Sequence, residues 1–124
     1  MLIRINTRWF LRCISVAMGI ALVGLFANNA FADAVHDMCA DPDKICKCAA
    51  SQLKAEVGEQ DYVLYEAISA AYLSNKNGGM NMVEAWDAAV KAESERQTNS
   101  FVDTLNRTNK IGSTHRKAIT ACKG

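Results

Sequence analysis

The chain has little proline and little glycine, with one Pro and seven Gly among its 124 residues. It also lacks any stretch in which apolar and polar residues alternate for long enough to indicate a β-strand. Internal repeats, low-complexity tracts and signs of a second domain are missing as well. With these deficits and many alanines, the sequence predicts an all-α protein, a small domain of three or four helices.

Most of the chain carries no excess of positive charge. Residues 33–124 carry eleven Lys and Arg against thirteen Asp and Glu, a formal charge of −2. The whole chain is at +1 only because three arginines lie before residue 13. A nearly neutral domain without a clustered basic face lacks the electrostatic footprint of nucleic-acid binding, so we exclude that class of function.

The first 32 residues have the pattern of a signal peptide. Arg4, Arg8 and Arg12 precede an uncharged apolar run at 13–27, and the small-residue motif Ala30-Phe31-Ala32 follows. The run of about fifteen residues is shorter than the roughly twenty that a membrane-spanning helix needs, so a retained anchor is the weaker alternative. We predict cleavage before Asp33, a bacterial protein exported to the periplasm or secreted, and no stable membrane insertion afterwards.

Apolar periodicity places helices along the mature domain, residues 33–124. It predicts a helix over 42–57, a second from near 61 that ends at the turn 75–79, and a third from near Met82. The period falters over 93–100, which leaves either one long helix or a break there. Gly112 resembles a helix-ending glycine before a last short helix. We expect residues 33–40 to form a loosely ordered arm.

Four cysteines remain after Cys13 leaves with the signal peptide, an even number that predicts two disulfides. Cys46 and Cys48 point about 200° apart on a helix and cannot bond each other, so each takes Cys39 or Cys122. Because Cys46 lies on the apolar stripe of its helix, we favour Cys46 with Cys122 and Cys39 with Cys48. The opposite assignment stays open. Either assignment closes a loop of more than seventy residues. In a chain-entropy model, such a disulfide stabilises the folded state by on the order of 4 kcal/mol.

A soft-metal site is the alternative use of these cysteines. Their thiolates, with the two histidines, could supply ligands for Cu(I) or Zn(II). The candidate ligands are Cys39, Cys46, Cys48, Cys122, His36 and His115. Their spacing does not match that of structural zinc sites, so we predict no metal and no other cofactor.

Catalytic motifs are missing too, since the chain has no Cys-x-x-Cys and no nucleophile beside a base. Tyr65, Tyr72 and Trp86 lie on or beside the apolar stripes of the predicted helices, and we expect them to pack in the core. We expect the same of a methionine at a helix start, such as Met80 or Met82. The sequence therefore favours a non-enzymatic module that binds another protein whose identity it does not specify.

A periplasmic acid-stress or chaperone-like protein is the second hypothesis. The chain is similar in general plan to the small disulfide-bonded helical acid-stress chaperones. His36 and His115 are the only side chains expected to change charge between pH 5 and 8. An acid-triggered loosening of the domain would follow from their protonation.

Overall fold

The structure is a computed structural model that describes residues 34–124. The predicted signal peptide, 1–32, lies outside the described residues. The helices are α1 (Ala34–Asp37), α2 (Asp43–Val57), α3 (Glu59–Asn77), α4 (Met82–Arg96) and α5 (Phe101–Cys122). The described part of the chain contains no strand, and the prediction of a small all-α domain with two disulfides is confirmed. Within residues 34–124, no helix combines the length and hydropathy needed to cross a membrane.

Two helical pairs form the body of the domain. α2 makes its most extensive contacts with α5, and α3 makes its most extensive contacts with α4. The short α1 packs against α3 and α2. Between the pairs lies one apolar core, formed by Val35, Leu53, Tyr62, Leu64, Tyr65, Ile68, Ala89, Val90 and Ile111.

The N-terminal arm is ordered, contrary to expectation. Ala34 and Val35 lie in α1 and are buried, and Val35 belongs to the apolar core. Two adjacent small apolar side chains are too few to show a helical period. Contacts with α3 and α2 supply the burial that orders the segment.

The stretch without apolar residues breaks the chain into two helices. α4 ends at Arg96, and Thr98 adopts the left-handed conformation with φ 57°. The Ser100 hydroxyl then accepts a hydrogen bond from the backbone N–H of Asp103 and caps α5. A segment with nothing apolar to bury gains little from continuing a helix, so the chain turns here.

The expected helix end at Gly112 is wrong, because α5 continues through it to Cys122. The buried positions of α5 keep one helical face on both sides of the glycine, from Thr108 and Ile111 to His115 and Ala118. A glycine inside a helix costs only about 1 kcal/mol relative to alanine. Packing of that face against the rest of the domain outweighs the cost.

The favoured disulfide assignment is corrected by the structure. Cys39 is bonded to Cys46 and Cys48 is bonded to Cys122, with Cα–Cα distances of 5.6 and 6.0 Å. The error lay in assuming that the apolar side of α2 at Cys46 meets the last helix. Instead the segment before α2 folds over Cys46, whose Sγ lies 3.1 Å from the carbonyl oxygen of Asp41. Cys48, at the flank of the stripe, is the residue that reaches α5.

Candidate binding surface

The six candidate metal ligands do not come together. The sulfurs of the four candidate cysteines are bonded in pairs, so residues 34–124 contain no free thiolate. His36 is half-buried, and its Nε2 lies 2.9 Å from Oδ1 of Asp43. His115 is enclosed in the core. In residues 34–124, no three His, Cys, Asp or Glu side chains are grouped as they would have to be to hold an ion.

His115 lies on the buried face of α5, and only 3% of its surface is exposed. Its Nδ1 is 3.3 Å from the hydroxyl oxygen of Tyr65 on α3, within hydrogen-bond distance. Its Nε2 is buried and has no hydrogen-bond partner among the described residues. Burial lowers the pKa of His115 from its ordinary value of 6.5. The fold therefore favours the neutral imidazole.

One aromatic ring, that of Tyr65, contacts this histidine and joins it to a cluster of further rings. Tyr65 meets the imidazole edge to face at 5.7 Å, and Trp86 meets both Tyr65 and Tyr72 edge to face at 6.3 and 5.6 Å. Burial raises the pKa of Tyr65 to about 12, so the phenol stays protonated at physiological pH. These rings pack on or within the core, as predicted from their positions on the apolar stripes.

An open cleft of about 410 Å³ lies where the first part of α3 approaches α5 and the turn after α4. It is lined by Glu59, Gln60, Val63, Leu64, Gln97 and Arg107. Nε of Arg107 donates a hydrogen bond to Asp61 over 2.6 Å, so the cation at the cleft is already paired. The lining contains no Ser, Cys or His that could act as a nucleophile or be activated as one.

The turn between α3 and α4 exposes a group of large apolar side chains. Met80, Met82 and Val83, which we name the α3–α4 tip, are 43%, 63% and 68% exposed. The expectation that these methionines pack in the core is wrong. Met80 lies in the turn and Met82 and Val83 lie in the first turn of α4, and no described element covers their side chains. The strong turn signal at 75–79, directly before Met80, could have indicated this exposure.

Hydrogen bonds on both sides of the turn hold the tip in place. The side-chain amide of Asn75 donates to the carbonyl oxygen of Ala85 over 3.1 Å. The Asn81 side chain accepts from the backbone N–H of Glu84 over 3.0 Å and caps the start of α4. The apolar side chains of the tip are thus presented from a defined backbone.

Comparisons of the chain with protein-family models, with curated proteins and with solved structures found no match. The fold itself defines the class, a small all-α domain with one disulfide tying α2 to α5 and another tying α2 to the segment before it. Among the described residues, its surface includes the open cleft beside Arg107 and the exposed apolar α3–α4 tip.

Proposed function

We propose that the protein is an exported, non-enzymatic helical module that binds an apolar segment of another protein through the α3–α4 tip. The observation that carries the proposal is the grouping of apolar side chains. Three of the six large apolar residues exposed in the described part of the chain fall within four positions at this turn. Adjoining exposed apolar side chains are typical of interaction sites, whereas single ones are ordinary surface.

Methionine suits this role because its flexible, polarisable side chain adapts to partners of different shape. Burying the exposed parts of Met80, Met82 and Val83 would contribute about 3 kcal/mol. That is the contribution expected of a small hot spot. An apolar segment is the partner chemistry that these three side chains fit.

Export is supported by chemistry as well as by the signal-peptide pattern. Both disulfides require an oxidising compartment to form and persist, such as the periplasm or the extracellular medium. A domain of this size gains limited stability from its core alone, so cross-links suit it for such a location.

A site-specific photo-crosslinker tests the tip. Placed at residue 82 in cells that export the protein, it is expected to give one defined adduct whose second component is a single protein. The matched control is the crosslinker at Val102, which is 60% exposed but lies at the start of α5. Adding Met80→Ser and Val83→Ser should abolish the adduct from residue 82. Equal adducts from both positions, or an adduct that survives these substitutions, would contradict the proposal.

Acid-responsive, chaperone-like activity is a second candidate, which the burial of His115 favours. From α3, Tyr65 faces the imidazole with a neutral phenol, and Arg116 follows His115 on α5. No described carboxylate hydrogen-bonds to this ring. Protonation in acid would therefore leave a charge in the core without a counterion, which is strongly unfavourable.

The direction of the pH effect follows from the pKa. Because the pKa of His115 is lower in the folded chain than in the unfolded chain, the unfolded chain binds more protons below about pH 6.5. The stabilisation is present above that pH and is lost as the pH falls through the folded-state pKa. The core would then loosen and expose apolar surface.

Dye binding to exposed apolar surface checks this candidate. For the wild type, fluorescence should rise as the pH falls from about 7 to about 4, and His115→Gln should move the rise to lower pH. His36→Gln, which removes the other histidine, should leave the curve unchanged. Circular dichroism at pH 7 verifies that both variants are folded. Coincident curves for wild type and His115→Gln would rule out His115 as the trigger.

A further inference from the structure

The two helical pairs carry opposite charge. Together, α2 and α5 contain seven Lys and Arg and three Asp and Glu, a formal charge of +4. α3 and α4 together contain three Lys and Arg and seven Asp and Glu, a formal charge of −4. The near-neutral composition of the mature domain therefore conceals a separation of charge between the two halves of the fold.

Contacts within the molecule use only part of this charge. Two ion pairs join the halves, one from Lys54 to Glu59 at 3.1 Å and one between Arg107 and Asp61. On the positive half, the charged residues that make no ion pair with the rest of the described chain are the cations Lys44, Lys110, Arg116 and Lys117 and the acids Glu56 and Asp103. On the negative half they are the acids Glu84, Asp87 and Glu95 and the cations Lys76 and Lys91.

The unpaired cations of α5 include two on one outer face. Lys110 and Lys117 are seven residues apart, which places them on the same side of the helix and about 10 Å apart along its axis. Asp103, seven residues before Lys110, lies on the same side and offsets part of their charge. Lys44 is exposed on α2, the helix that packs against α5. We name Lys44, Lys110 and Lys117 the basic face.

Three of the unpaired acids lie on the outer side of α4, where the exposed Lys91 lies among them and reduces the combined charge of that side to −2. Glu84 and Glu95 are eleven residues apart, close to three full turns, and Asp87 lies one turn after Glu84. All three are exposed, whereas Ala85, Ala89 and Val90 on the same helix are buried. We name Glu84, Asp87 and Glu95 the acidic face.

We propose that the protein self-associates head to tail, with the basic face of one copy against the acidic face of a second copy. Charge complementarity identifies this occupant, because each copy supplies both partners. The basic face with Asp103 carries a formal charge of +2, and the acidic face with Lys91 carries −2. The small net charge of the domain imposes little repulsion between copies. The contact joins two different surfaces, so each added copy leaves one face of each kind free, and a chain or a closed ring results.

This proposal goes beyond the proposed function, since it uses none of the three residues of the α3–α4 tip. Exposed ion pairs are individually weak and are screened over about 8 Å at physiological salt. The association is therefore weak, dependent on concentration, and strengthened by low ionic strength.

Sedimentation velocity of the mature protein purified from exporting cells tests the proposal. Association is expected at about 20 mM NaCl and should weaken at least about tenfold at about 0.5 M NaCl. Two double variants reverse one face each, K110E/K117E for the basic face and D87K/E95K for the acidic face. Each variant alone should remain monomeric, and an equimolar mixture should associate again, because the reversed faces complement each other.

Lys76→Glu is the matched control, since it reverses one exposed lysine outside both faces and should leave the association unchanged. Circular dichroism confirms that each variant is folded. A wild type that stays monomeric at low salt, or a mixture of the two double variants that does not associate, would overturn the proposal. So would a monomer whose basic face instead binds vesicles containing phosphatidylglycerol, with that binding lost in K110E/K117E.

Discussion

Lys47 stands between Cys46 and Cys48, so trypsin separates the two cysteines of α2 onto different peptides. The structure predicts that the tripeptide 45–47 is disulfide-linked to the peptide that ends at Lys44. The peptide 48–54 should be linked to 118–123. Mass spectrometry of a non-reduced digest, with free thiols blocked beforehand, identifies these two linked pairs.

The opposite connectivity would give a different pair of masses from the same digest. In that case 45–47 would be linked to 118–123, and 48–54 to the peptide that ends at Lys44. Reduction before digestion is the control, because it must remove every linked mass. A linkage between 45–47 and 118–123 would show that the described disulfides are incorrect.

His115 illustrates what the sequence pattern can predict about a single side chain and what it cannot. His115 precedes Ala118 by three residues and Cys122 by seven, a spacing that places all three on one side of a helix. The spacing did not reveal that Nδ1 meets Tyr65, fifty residues earlier, or that Nε2 is left without a partner. Those features come from α3 and the packed core, so they depend on tertiary contacts.

Among the helices, α2 and α5 are tied by the disulfide that spans 74 residues. In the chain-entropy model, a loop of this length is worth about 4.5 kcal/mol. We expect Cys48→Ala/Cys122→Ala to lower the free energy of unfolding by about that amount, a large share of the stability of a small domain. Urea denaturation followed by circular dichroism measures the loss.

The other disulfide provides the comparison, since Cys39 and Cys46 are separated by only seven positions. The same model gives about 2.5 kcal/mol for this shorter loop. Replacing buried Cys46 adds a packing loss of about 1 kcal/mol, so Cys39→Ala/Cys46→Ala should cost about 3.5 kcal/mol. If this variant loses more stability than Cys48→Ala/Cys122→Ala, loop length does not determine the ranking.

Helices with a clear apolar period and a local signal at their ends could be predicted. α2 lies within one residue of the predicted 42–57, and α4 begins at Met82 after the Asn81 cap. α1 could not be predicted, because four residues are too few to show a period. The expected stop at Gly112 failed because one glycine is a weak local signal beside the buried face of α5.

At the scale of the whole molecule, the arrangement of helices creates features that no single helix contains. Pairing α2 with α5 and α3 with α4 collects positive charge on one half and negative charge on the other. The turn after α3 leaves the α3–α4 tip outside the core. Both candidate interaction surfaces arise from this arrangement, and neither could be predicted from the composition.

The signal peptide, the export of the protein and the binding of another protein stay predictions from the sequence. By itself the sequence determined the helical class, the bounds of α2, the start of α4 and the even set of four cysteines after residue 32, because spacing, caps and counts depend on near neighbours. Only the tertiary structure decided which cysteines bond, how His115 meets Tyr65, and that Met82 is exposed. The physical reason is that each of these features depends on which distant segments pack together, and local sequence patterns do not specify that packing.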